Sequence, residues 1–257
     1  VENPYLALLD AVIATQSRLI AEWMGVGFIH GVMNTDNMAI SGETIDYGPC
    51  AFMEGYAPGT VFSSIDHQGR YAYANQPLIL GWNLARLAET LLPLLDPDQD
   101  KAVDIANDRL TGIAPRYRAD WIAMMRRKLG LPGEDPADAQ LADDFLSAME
   151  GADWTLTFRR LADAAALRPL SSDFTGMEVW LPRWRARAGD GAAQRIAAAN
   201  PAVIPRNHKV EEALTAAVDH GDFSLFEALN DVLAKPYEDQ PAFAAYAEPP
   251  KPGEEVT

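Results

Sequence analysis

From Leu78 to Leu233 apolar residues recur three and four positions apart, and Pro or Gly separates one such block from the next. That period gathers apolar side chains on one face of a helix, whereas a strand would alternate them. The blocks predict helices over about 98–110, 116–129, 137–149, 154–166, 178–188, 192–199, 210–219 and 223–233, after one opening near Leu78. An earlier helix is predicted over 5–24, with apolar residues from Leu6 to Trp23 and Gly25 and Gly27 to end it. Strand signals are confined to the first fifth of the chain. The fold class expected is therefore mainly α, with one small hairpin near the start.

Composition narrows the functions open to such a chain. With 48% apolar residues it can bury a sizeable core. Its net charge of -16 argues against nucleic acid and against anionic membrane surfaces as partners, since both attract basic proteins. No run of about 20 apolar residues occurs, so no membrane-spanning helix is expected. The single cysteine, Cys50, leaves no internal disulfide and no Cys-based zinc cluster. A soluble cytoplasmic protein is the expectation. The end, with Pro249, Pro250 and Pro252 among acidic residues, is expected to be extended and mobile.

The polar residues concentrate in HGVMNTDNMAISGETIDYGP, residues 30–49. Residues 37–48 alternate, and Gly42-Glu43 suits a two-residue hairpin turn. That register sets Ile40 opposite Ile45 and Ala39 opposite Asp46. Asn37, Ala39 and Asp46 then share one face, with Asn37 and Asp46 diagonal neighbours roughly 7–8 Å apart. Met38, Ile40, Ile45 and Tyr47 on the other face would anchor the hairpin in the core. Asp36 has the opposite parity and would sit beside a cation rather than in its shell. Mg²⁺ takes one or two protein oxygens and completes its shell with water and phosphate, so Asn37 and Asp46 suit it. Each of these residues alone also suits an ordinary turn or cap. Together, His-Gly, a later Asn and Asp-Tyr-Gly follow the order of a kinase catalytic segment, in which an Asn and an Asp hold the metal. Where such a kinase has its catalytic Asp, two residues after the His, this chain has Val32.

The strings His30-Gly31-Val32-Met33-Asn34-Thr35-Asp36-Asn37-Met38 and Thr44-Ile45-Asp46-Tyr47-Gly48-Pro49 resemble the selenoprotein O family, also called YdiU. So do Asp66-His67-Gln68-Gly69-Arg70-Tyr71, Asn75-Gln76-Pro77, Thr155–Leu161, Arg206-Asn207-His208 and Pro236-Tyr237 in that order. The resemblance implies a protein-kinase-like fold that binds ATP in a flipped orientation. It implies transfer of AMP to Ser, Thr or Tyr hydroxyls of proteins. It makes Asp36 the catalytic proton acceptor and Asn37 and Asp46 the ligands of Mg²⁺, or of Mn²⁺ in its place, with Asp46 also at the nucleotide.

A kinase-like enzyme also needs a Gly-rich loop, a strand Lys and a helix Glu, which precede the catalytic segment. Nothing before His30 forms a Gly-rich loop, and the first Lys is Lys101. The resemblance is thus to a C-terminal portion. The expected organisation is a catalytic segment of a kinase-like C-lobe over 1–95, a helical remainder over 96–246 and a flexible tail over 247–257. An N-lobe, absent here, is expected to be needed in cis or in trans, and the isolated chain is expected to bind ATP weakly. Two other classes remain open. An aminoglycoside-kinase-like phosphotransferase shares the pattern but needs an Asp at position 32. A non-catalytic pseudokinase scaffold would need none of these carboxylates.

Overall fold

A computed structural model describes residues 3–251 and Gly253. The chain is mainly helical and divides into two compact units. The first runs to Ala51 and resumes over Pro58–Met124; the second takes Phe52–Ala57 and everything from Met125 on.

In the first unit, α1 (Pro4–Val26) begins where Asn3 accepts hydrogen bonds from the Tyr5 and Leu6 N–H groups, and Pro4 fills the first turn. It ends at Gly27, whose φ of 72° supplies a left-handed cap. Its buried face runs Leu9, Val12, Ile13, Gln16, Ser17 and Ile20. That face packs on α2 (Gln76–Leu95), which buries Ile79, Leu80, Leu84, Ala88 and Leu91 at helical spacing. Each fully buried Leu or Ile contributes on the order of 1.5–3 kcal/mol, and this pairing supplies the unit's core. Helix α3 (Gln99–Thr111) packs on α2, and α4 (Ile113–Lys128) carries the chain out of the unit. Between α1 and α2 lie strand β1 (Phe28–Ile29), the site segment and β2 (Ala51–Phe52), which pairs with β1 as the chain leaves the unit.

Over Tyr73–Leu95 the chain is long and apolar enough to cross a membrane by length and composition. However, Gln76 and Asn83 on its buried face hold backbone carbonyls of the site region, as a core helix does.

The second unit is built from α5 (Asp138–Ala148), α6 (Trp154–Arg159), α7 (Ala164–Leu167), α8 (Thr175–Ala188), α9 (Ala192–Ala199), α10 (Asn207–His220) and α11 (Ser224–Leu233). Its centre is aromatic. Phe145 lies 4.6 Å from Trp180 and 5.0 Å from Phe158, and Trp154 lies 4.9 Å from Phe158. The indole N–H groups of Trp180 and Trp184 donate to the Leu141 and Leu129 carbonyls, so burial leaves no orphaned donor there. The helix predicted over 154–166 is interrupted. It stops at Arg159, and Asp163 caps a new turn by accepting from Ala165 and Ala166 N–H. A side chain that competes for backbone donors broke a run that apolar spacing alone would have continued.

The predicted hairpin is corrected. A single bridge pairs Met38 with Thr44, and the turn closes from Ala39 to Gly42 through a 2.9 Å hydrogen bond. Thr35–Asn37 form one 3-10 turn instead of entering a strand. The expected anchor face is exposed: Ile40 by 59%, Ile45 by 38% and Tyr47 by 66%. The physical reason lies at Gly42. Its φ is 82°, and a Cβ there would fall 2.1 Å from Thr15 Cγ2 on α1. Gly42 serves a left-handed residue pressed against a helix, not the first position of a two-residue turn. Polar side chains, not an apolar face, hold this segment down.

Candidate functional site

Four side chains from the two long helices of the first unit hold the site segment. On α1, Gln16 donates to the Ala39 carbonyl, and Trp23 Nε1 donates to Thr44 Oγ1 at 2.8 Å. On α2, Asn83 donates to the Met33 carbonyl at 2.9 Å. Gln76 donates to the Phe28 carbonyl at 2.9 Å and accepts from His30 N–H. Sequence reasoning gave none of the four this holding role, although Gln76 stands in a string that carries the family resemblance. The available signal was a polar residue on an otherwise apolar helix face, as Gln16 is between Val12 and Ile20.

His30 is fully buried and uses both ring nitrogens. Nε2 donates to the Ile45 carbonyl at 2.9 Å, and Nδ1 faces the Val32 N–H at 3.4 Å. This ties the segment bearing Asn37 to the residue before Asp46. Gly31 completes the join. Its φ is 83°, and a Cβ would meet the Pro49 carbonyl oxygen at 3.0 Å. His30-Gly31 is therefore a backbone clasp that brings 30–38 against 44–49.

The Asn37 amide nitrogen donates to the Val32 carbonyl at 3.0 Å. That leaves Oδ1 as the amide's free ligand atom. Val32 thus contributes through its backbone. Asp46 has φ 54°, the one non-glycine residue with positive φ among those described. Asp tolerates this region better than most residues, but a strained carboxylate in a loop is a feature of functional sites. Asp36 and Asp46 are exposed, and neither makes a hydrogen bond or ion pair among the described residues. The chemistry of this donor set, one amide oxygen and one carboxylate, fits a hard cation that completes its shell with phosphate and water. Among the described residues no group of three or more His, Cys, Asp or Glu forms a self-sufficient metal cage. Cys50, close by, is half-buried. Burial pushes its thiol above the usual range, and the Asp46 charge adds to the rise, so it is not a reactive thiolate.

The following loop folds back on this segment. Asp66 accepts from the Arg70 and Tyr71 N–H groups at 2.8 and 2.7 Å, and Tyr71 OH donates to Asn34 Oδ1 at 2.6 Å. Arg70 lies over the Trp82 ring, 4.9 Å from its centroid, with no carboxylate partner among the described residues. His67 is exposed. A cavity of about 270 Å³ lies against Thr35 and Met38, lined also by Val12, Leu80, Leu84 and Leu87. Its apolar lining does not suit a triphosphate.

Comparison with known proteins bears on these residues. The family model described as "Protein adenylyltransferase SelO" matches residues 1–234. A protein from Rhizobium johnstonii described as "Protein nucleotidyltransferase YdiU" is 58% identical over 270 residues, covering 99% of this chain and 54% of its own length. A Cereibacter sphaeroides protein of the same description is 60% identical, covering 98% of this chain and 53% of its own. The Bradyrhizobium counterpart is 58% identical, at 99% and 55%. The chain spans about half the length of these relatives.

Proposed function

This chain belongs to the SelO family of protein adenylyltransferases, and from that premise we propose that it carries the AMP-transfer loop of a kinase-like C-lobe. Its substrates in this reading are ATP and the Ser, Thr or Tyr hydroxyls of a protein. One observation carries it: Asn37, held by the Val32 carbonyl, presents its amide oxygen beside the clasp that positions a strained, unpaired Asp46.

Asn37 and Asp46 would hold Mg²⁺, or Mn²⁺, which supplies neutralising charge at the phosphates when bound. Asp36 follows Thr35 on the 3-10 turn and is exposed toward water and any incoming hydroxyl. It accepts or orients the hydroxyl proton as the acceptor oxygen bonds to the α-phosphorus. The bond from that phosphorus to the bridging oxygen breaks, and pyrophosphate leaves. His30 serves the clasp and takes no part in proton transfer in this reading. Val32 speaks against the phosphotransferase alternative, whose base would stand there.

The test supplies ATP labelled at the α or the γ position, with an acceptor protein. It uses this chain and a form extended to the relatives' full length. AMP transfer puts the α label on the acceptor in the extended form, and Asp46→Ala abolishes it. The γ label on the acceptor would instead identify a phosphotransferase, and neither label a scaffold. This chain alone is expected to transfer little, since it spans about half the length of its relatives. A rate equal to that of the extended form overturns that dependence.

A further inference from the structure

We infer that Arg70, held over the Trp82 ring, reads an acidic side chain of the acceptor protein close to the hydroxyl that is modified. The inference rests on the AMP-transfer reading above. Arg70 is exposed, 4.9 Å from the Trp82 ring centroid and 5.6 Å from that of Tyr71. The two rings hold the cation in place by attraction to their faces, and a guanidinium so placed can take a carboxylate through two hydrogen bonds.

The charge on Arg70 is left unanswered by the chain itself. There are 37 acidic residues and 21 Lys and Arg, so carboxylates are in excess, yet none pairs with this side chain among the described residues. Asp66, the nearest in sequence, has its two oxygens occupied by the Arg70 and Tyr71 N–H groups. Arg86 makes the contrast. It also lies on Trp82, 5.4 Å from the centroid, but Glu89 neutralises it at 2.6 Å. Of two arginines on one indole, only Arg70 is available to an outside anion.

Its position assigns the anion. Tyr71, the next residue, donates from its hydroxyl to Asn34, which immediately precedes the Thr35–Asn37 turn bearing Asp36. The platform is therefore tied to the start of that turn. The metal pair is tied at the other end, through Asn37 and the clasp at Ile45 and Pro49. Through Tyr71 and Asn34, Arg70 is therefore tied to the end of the segment that carries Asp36. An acidic residue flanking the acceptor hydroxyl fits this placement.

The experiment measures binding of two fluorescently labelled peptides to the 257-residue chain, without nucleotide. One carries a Ser flanked by Glu, the other the same Ser flanked by Gln. The Glu peptide is expected to bind roughly fivefold tighter at low salt and to lose that margin as salt rises. Arg70→Gln removes the preference, Arg70→Lys keeps part of it, and Arg86→Gln leaves it in place. Equal affinity for the two peptides overturns the proposal, as does a preference that survives Arg70→Gln. So does an Arg70→Gln variant that weakens Mg-ATP binding and leaves peptide preference intact, which assigns the side chain to phosphate. If Arg70→Gln loses its native circular dichroism, Arg70→Lys decides, and it must retain some preference. A chain that binds the Glu peptide through Arg70 while the extended form never transfers the α label breaks the proposed function and leaves this surface standing. Transfer without charge preference does the reverse.

Discussion

The two units use the same side chains in opposite ways. In the second, carboxylates are buried and answered. Arg206, 1% exposed, pairs with Asp153 at 2.7 Å and with Glu54, and donates to the Ala247 carbonyl. Asp138, also 1% exposed, accepts from Arg126 and Arg187, both at 2.7 Å. In the first unit, Asp36 and Asp46 are exposed and unanswered. A charge removed from water must find partners, so the buried ones are fixed by folding. A charge left in water costs little and remains available. Pairing fixes Asp153 and Asp138 in the fold, whereas Asp36 and Asp46 are left open to a ligand.

The largest effect that could break this division is at Arg206. Arg206→Met would leave Asp153 and Glu54 facing each other without a cation. Burial already pushes Glu54 above the usual carboxylate range against the pull of Arg206. Losing one partner of a buried ionic group costs on the order of 3–5 kcal/mol. Urea unfolding should show a loss of that size. A loss within about 0.5 kcal/mol would mean that the triad is not structural.

Asp138 sharpens the comparison through pH. Burial raises its carboxyl, but hydrogen bonds from Arg187 and Arg126 and from the Asp135 N–H outweigh this and hold it below the usual range. A depressed folded value contributes stability that is present above the unfolded value of about 3.9 and is lost as pH falls through the folded one. Wild type should therefore lose stability more steeply below about pH 4 than Asp138→Asn. At neutral pH the variant should already be less stable by about 2–3 kcal/mol, since two guanidinium groups lose their shared carboxylate. Parallel acid profiles would remove Asp138 from the structural set.

How much of this was legible differs in the same way between the two units. Helices α3, α5, α8, α9 and α11 lie where apolar spacing puts them, because a repeated burial face is written locally. The family was also legible in the string formed by residues 30–49, whose chemical types and order match its pattern. The geometry of those residues was not. The bridge at Met38 and Thr44 has a register that alternation does not give, and the clasp of His30 on Ile45 and the hold of Gln16 and Asn83 on loop carbonyls join residues distant in sequence. Gly42 was read as turn chemistry, but its reason is Thr15 on another element. A buried amide on an apolar helix face was the one local clue to these long-range holds.

A middle-sized test sits at the exposed carboxylate itself. Asp36→Asn should change unfolding free energy by no more than about 0.5 kcal/mol, because nothing in the fold depends on its charge. In the extended form, AMP transfer should fall by about 10²–10⁴. Asn37→Ala is less clean. It removes the hydrogen bond to the Val32 carbonyl as well as the amide oxygen, so about 1 kcal/mol of stability should go with the activity. A destabilised Asp36→Asn variant would mean that the exposed carboxylate has a structural partner after all.

The stability change at Asp46 is the most discriminating, because its sign is opposite to that of its functional effect. Asp46 holds a φ of 54°, where a side chain costs up to about 1 kcal/mol and glycine costs nothing sterically. Asp46→Gly relieves that strain but adds freedom to the unfolded chain, which offsets part of the gain. The net should lie between zero and about 1 kcal/mol of stabilisation. Asp46→Asn should be neutral within about 0.5 kcal/mol, since Asn tolerates the same region. Both variants remove the carboxylate that would meet the cation, so both should lose Mg²⁺-dependent nucleotide binding in the extended form. A residue kept for the fold cannot show this pattern, because replacing it would lower stability and activity together. If Asp46→Gly destabilises the chain, the strain at Asp46 serves the loop rather than the cation, and the contrast between the units fails at its central residue.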